Sequence, residues 1–113
     1  MVVCLPVTVD GAVDPSWGRA QRVAVAEVTD GVVASWKEFD VGWDALHDAE
    51  GEGAHHARLA RFLLEHRVDA VAAGHMGAPM EHMLGRMGLR VALGASGDAR
   101  QAALAAASGP TPE

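Results

Sequence analysis

Cys4 is the only cysteine in the chain. No disulfide can close within it, and one copy cannot build a cysteine-ligated zinc or iron–sulfur site. Basic charge is also scarce: nine lysines and arginines stand against fifteen acids, a formal charge of −6. Arg58, Arg61 and Arg67 form the only local basic group, which argues against nucleic-acid binding, because phosphate contacts need a clustered basic surface. No apolar run approaches the roughly 18 residues of a membrane span, and Met1–Pro6 lacks the basic start and apolar stretch of a signal peptide. The expectation is a cytoplasmic protein with neither a membrane nor a nucleic-acid partner.

Catalytic signatures are missing too. There is no P-loop and no dinucleotide-binding fingerprint. Gly94-Ala95-Ser96-Gly97 is not a nucleophile elbow, and Ser96 has only Asp98 near it in sequence. These absences point to a binding protein rather than an enzyme.

What remains is ordinary globular composition, half apolar and about a fifth charged in 113 residues, enough for one domain with one core. Val2–Val9 is a β-branched apolar run carrying Pro6 and reads as a buried strand ending near Thr8. A glycine- and proline-punctuated loop follows to residue 21. Arg22–Val28 and Val32–Phe39 are strands joined through Thr29-Asp30-Gly31, a strong hairpin signal. Residues 41–54 contain glycines and acids without periodicity and are expected to be a loop. Ala54–Arg67 reads as a helix with Leu59, Phe62, Leu63 and His66 on one stripe.

Val68–Ala73 is apolar on both faces, as a central parallel strand should be. Pro79 suits the first turn of a helix to Met87, with Gly88 as its cap. Leu89–Leu93 is a fifth strand, and Asp98–Ala107 a last, alanine-rich helix. The order βββαβαβα predicts a three-layer α/β/α domain over residues 1–107, with a five-stranded mixed sheet ordered 3-2-1-4-5 and strand 2 antiparallel. Residues 108–113 carry two prolines and read as a disordered tail.

Several short segments occur in a telling order: Val7-Thr8-Val9-Asp10-Gly11, Trp17-Gly18-Arg19-Ala20, the hairpin, Gly74-His75-Met76-Gly77, Gly88-Leu89-Arg90-Val91 and Gly94-Ala95-Ser96-Gly97. In this spacing the chain resembles the dinitrogenase iron–molybdenum cofactor biosynthesis family over roughly residues 2–107. The resemblance implies a ribonuclease H-like fold. It also implies the binding or carriage of iron–sulfur–molybdenum cofactor precursors or related clusters, with delivery and acceptor proteins as partners and a link to nitrogen fixation. Family members commonly show a histidine and an aromatic before the Gly-Arg of the first loop. Here those positions read Ser16 and Trp17.

In the expected topology strands 1, 3, 4 and 5 are parallel, so the loops after them share one sheet edge, the usual place for a ligand. The candidate crevice lies between strands 1 and 4. His75 sits directly after strand 4, beside Gly74 and Gly77, where a helix N-terminus suits an anion. His55 and His56 begin the first helix at the same edge, with His55 on the stripe of Leu59 and able to point toward His75. These three are the candidate metal ligands, and imidazole does not select among iron, copper, nickel and zinc. Ser16, Trp17, Gly18, Arg19, Gly74, Met76, Gly77 and Ser96 are the candidate cofactor contacts. The cofactor is expected to be an iron–sulfur or iron–molybdenum cluster or a single transition metal.

His82 is expected on the solvent face, about 160° from Leu84 around its helix. Met80, Met83, Leu84 and Met87 form that helix's apolar stripe, and Met76 lies outside it. His66 suits a helix C-terminus. His47 with Asp44, Asp48, Glu50 and Glu52 could gather a hard cation but lacks the EF-hand spacing. Cys4 is expected in the core. A metal-free interaction or regulatory domain that keeps the fold is the alternative to cofactor binding.

Overall fold

The computed structural model describes residues 1–108, and their side chains except those of 47–50 and 52. The chain runs β1 (Val2–Pro6), β2 (Arg22–Thr29), β3 (Val32–Asp40), α1 (Trp43–Glu65), β4 (Ala70–Ala72), α2 (Ala78–Arg86), β5 (Arg90–Ala92) and α3 (Ala99–Ser108). The sheet order is β3-β2-β1-β4-β5. β2 is antiparallel to β1 and β3, while β1, β4 and β5 run parallel, as the pattern of apolar runs predicts.

Alternation along the strands divides the core into two layers. Val3 and Leu5 of β1 join Ala24 and Ala26 of β2 beneath Ala99, Ala103 and Ala106 of α3. On the opposite face Cys4, Val23 and Val71 pack against Leu59 and Leu63 of α1 and Met80 and Leu84 of α2. One helix therefore covers one face of the sheet and two cover the other. The β2–β3 hairpin closes on Asp30 (φ 54°) and Gly31 (φ 76°); two successive left-handed residues make the turn whose twist matches the strands.

The segment 41–54 is not a loop. Gly42 takes a left-handed conformation and α1 begins directly at Trp43, continuing through an irregularity at Gly51 (φ 80°, ψ 173°). Trp43 is 1% exposed, and its backbone N–H donates to the Ala20 carbonyl at 2.9 Å. This long-range anchoring, rather than any amphipathic period, sets the helix start, so period reading missed it. Of the five side chains that could gather a hard cation, those of His47, Asp48, Glu50 and Glu52 lie outside the described ones.

Strand ends are shorter than the apolar runs suggest. β1 stops at Pro6, and Thr8 to Gly11 then turns, the Gly11 N–H donating to the Thr8 carbonyl at 3.1 Å. Val68 closes α1 instead of opening β4: its N–H donates to the Leu63 carbonyl at 3.0 Å. Residues 109–113 of the expected tail lie outside the described residues, and Ser108 is the last residue of α3.

A histidine-lined pocket at the carboxyl edge of the sheet

The loops leaving β1 and β4 stay together beyond the strands. The first folds back on itself, with Val7 bridging Val13 and Ala12 bridging Asp98. It then runs parallel to the second, where Ser16 bridges His75. Gly74 makes this approach possible: a β-carbon there would stand 3.4 Å from the Pro15 carbonyl oxygen and 3.6 Å from that of Ala95. Its missing side chain serves the close backbone packing between these loops.

Beyond that contact a cavity of about 200 Å³ opens on the α1/α2 side of the sheet. Ser16, Trp17, Gly18 and Arg19 come from the loop after β1, His55 and His56 from α1, His75, Met76 and Gly77 from the loop after β4, and Pro79 and Met80 from α2. The three candidate metal-ligating histidines are therefore brought to one pocket, together with Ser16, Trp17, Gly18, Arg19, Met76 and Gly77. Ser96 is not among them. It lines a second hollow with Gln101 and Ala102 of α3, on the other face, so the sheet stands between the two.

The three histidines differ. His75 is exposed and His56 half-buried. His55 is 1% exposed, and its Nε2 is hydrogen-bonded to the Gly18 carbonyl oxygen. Among the described residues, no three His, Cys, Asp or Glu side chains form a preset metal site. The lining residue Trp17 is backed by further rings: it meets Trp43 edge to face at 5.3 Å, and Trp43 meets His55 at 6.5 Å. The Trp17 indole Nε1 is buried without a hydrogen-bond partner among the described residues. α2 starts at the pocket with Gly77 as N-cap and no side chain bonded to its first turn, leaving backbone N–H groups and the positive dipole end for an acceptor.

The remaining candidates sit elsewhere. His82 is exposed, as its helix position predicts. His66 caps α1 and packs its ring on Phe62 at 4.4 Å and Phe39 at 4.8 Å, so aromatic packing adds to the expected structural role. Cys4 is fully buried in β1, and burial pushes its thiol well above the ordinary range.

Two lining residues escape sequence reasoning. Met80 sits on the apolar stripe of α2 and was expected only in the core; its chain both packs on Leu84's layer and reaches the cavity wall. Pro79 reads as a helix-start residue, and that placement is what brings it to the rim.

Fold and pocket together define a small three-layer α/β domain with a histidine-lined cavity at the carboxyl edge of a 3-2-1-4-5 sheet. The sequence matches the model of the dinitrogenase iron-molybdenum cofactor family over residues 1–109, and the chain belongs to that family. Its fold is shared with the apo form of the orange protein from Desulfovibrio gigas, at TM-score 0.74 and 21% identity, over 98% of this chain and 90% of that one. PH0822 is similar at TM-score 0.74 and 20% identity, over 93% and 87% of the two chains. A candidate NifB protein from Thermotoga is similar at TM-score 0.71 and 18% identity, over 96% and 88%. No curated protein matches the chain in sequence. No helix among the described residues is long and apolar enough to cross a membrane.

Proposed function

We propose that this chain is a small cytoplasmic binding protein or carrier for a metal centre or an anionic iron–sulfur(–molybdenum) cofactor, held in the pocket between the β1 and β4 loops. The observation that carries the reading is the convergence of His55, His56 and His75 with Arg19 and the start of α2 on one cavity. The donor set fits a cluster that brings its own sulfide. Imidazoles and the thioethers of Met76 and Met80 are soft or borderline ligands, while Arg19 and backbone N–H groups suit bound anions. A thiolate anchor is not part of the set, since Cys4 is sealed in the sheet. On this reading His75, which is exposed, and His56, which is half-buried, face the ligand. The family supports the same reading, and the partners would be proteins that deliver or accept the cofactor.

Such a role is one of binding rather than turnover. β4 ends at Ala72 and is followed by Ala73-Gly74, so strand 4 supplies no carboxylate to pair with Asp10 in gathering the metal ions of a nuclease. The test is anaerobic purification followed by cluster reconstitution, with metal analysis and absorbance spectra. A coloured, metal-bearing protein whose loading falls at least tenfold in His75→Ala is expected. A colourless, metal-free chain that takes up no cluster would overturn the proposal.

One observation favours a second reading, a metal-free interaction domain: Ser16 occupies the position beside His75 where an imidazole is expected in relatives. On that reading His75→Ala leaves partner binding and stability unchanged.

A further inference from the structure

We infer that His55 is a positioning residue of this pocket. It holds the loop wall formed by Ser16 to Arg19 in place and does not coordinate the ligand. The inference rests on the binding role proposed above and divides the three histidines by task.

The Gly18 carbonyl can only accept a hydrogen bond, so the Nε2 facing it carries the proton. That proton fixes the tautomer and occupies the nitrogen's lone-pair direction, which a metal would need. Nδ1, on the other side of the ring, is buried as well, and the residue as a whole is 1% exposed. His55 lines the cavity, but its Nε2 is taken by the Gly18 carbonyl and its buried Nδ1 is not exposed to an incoming group. His56 and His75 are half-buried and exposed, as residues that meet an incoming group should be.

The contacts of His55 form a closed circuit through the wall. Its ring stands at 90° to Trp43, Trp43 stands at 76° to Trp17, and Trp17 leads through the chain to Gly18, back at the hydrogen bond. A buried carbonyl left without a donor costs free energy. A leucine at 55 would fill the space and remove the donor that the half-buried Gly18 carbonyl has in His55. Gly18 itself tolerates a methyl group: a β-carbon there would lie 3.8 Å from both His55 Nε2 and Met80 Cε. Gly18→Ala therefore keeps the clamp.

The experiment reads each imidazole by long-range ¹H–¹⁵N NMR on the full chain, with and without Zn²⁺, in the parent, His55→Gln and His55→Leu. In the parent, His55 is expected as the Nε2–H tautomer, unmoved by Zn²⁺, while His75 and His56 shift. His55→Leu is expected to weaken Zn²⁺ binding about tenfold and to speed tryptic cleavage after Arg19 about tenfold, the loss of one buried hydrogen bond. His55→Gln, which can still donate to the Gly18 carbonyl, should restore both to within about twofold of the parent, a rescue that mere space filling cannot give. Loss of the His55 Nε2 proton on adding Zn²⁺, or failure of glutamine to rescue, would overturn the inference. If no histidine responds to Zn²⁺, the binding role fails, and the tautomer and cleavage at Arg19 still decide the clamp. If His55→Leu does not fold, the parent tautomer and its response to Zn²⁺ decide it.

Discussion

Trp17, in the loop after β1, and Trp43, at the first residue of α1, meet edge to face with ring centroids 5.3 Å apart and planes at 76°. Both are 1% exposed. This pair ties the start of α1 to the wall of the pocket, and Phe62 extends it at 5.6 Å from Trp43. Truncating Trp43 to alanine is expected to cost about 3–5 kcal/mol, the range for large aromatic deletions from cores. Trp17→Ala should cost a similar amount. The double variant should lose less than the sum, since each single change already breaks the shared contact. Urea unfolding followed by far-UV circular dichroism measures all three.

The ends of α1 and α2 are built alike from different residues. In α1 the N–H groups of Arg67 and Val68 reach back to the carbonyls of Leu64 and Leu63, and in α2 those of Gly88 and Leu89 reach Gly85 and Leu84. Both turn on a left-handed residue, Arg67 at φ 54° and Gly88 at φ 79°. Glycine takes this conformation without strain, and a residue with a β-carbon pays about 1–2 kcal/mol. Gly88→Ala should therefore destabilise by about 1 kcal/mol and Arg67→Gly should stabilise by up to about 1 kcal/mol. Opposite shifts of the urea midpoint at unchanged m-value are the expected result.

Cys4 should behave as a sealed hydrophobe. Burial raises its thiol pKa, so the thiolate is absent from the native protein at neutral and mildly alkaline pH. Ellman's reagent at pH 8 is expected to detect no thiol until denaturant is added, and then one per chain. Cys4→Ser should cost about 1–3 kcal/mol, because its hydroxyl would be buried in an apolar layer. Fast labelling of the native chain would contradict the assigned place of this residue.

Glu38 links two strands at the exposed edge of the sheet. It accepts from the Trp36 indole N–H at 2.8 Å and from Arg22 at 2.7 Å, and these bonds, the indole's first, hold its carboxyl below the ordinary value. A carboxyl lowered on folding contributes stability above its unfolded pKa and loses it as pH falls through the folded one. Glu38→Gln should therefore be less stable than the parent at pH 7, and the two should converge at pH 2. Exposure keeps the effect small. Urea midpoints at the two pH values provide the comparison.

Most of the architecture was legible from local pattern. Alternating and continuous apolar runs marked the strands, Asp30-Gly31 the hairpin, and Gly88 the end of α2. The order of elements then left little freedom in the sheet. The pocket was legible because parallel strands deliver their following loops to one edge, which brought His75 together with Ser16 to Arg19; His55 and His56 join them from within α1, just past the irregularity at Gly51, and not from its first turn. Ser96 follows β5 at that same edge, yet it emerges on the α3 face. Which face a loop turns toward is set by packing across the sheet, and no local signal carries it.

The start of α1 marks the same boundary. Trp43 begins a helix in a stretch of glycines and acids because its ring packs on Trp17 and its N–H finds Ala20, contacts more than twenty residues away in the chain. Cysteine content alone excluded a cysteine-ligated zinc or iron–sulfur site within one copy, since a single Cys4 cannot build one. Periodicity placed His55 toward the interior for the same kind of reason, a repeat that local geometry imposes. Whether that buried ring met a metal or a carbonyl depended on where the Gly18 loop came to rest. Hydrogen-bond partners distant in sequence are chosen by folding, and for His55 the partner is the wall of the pocket.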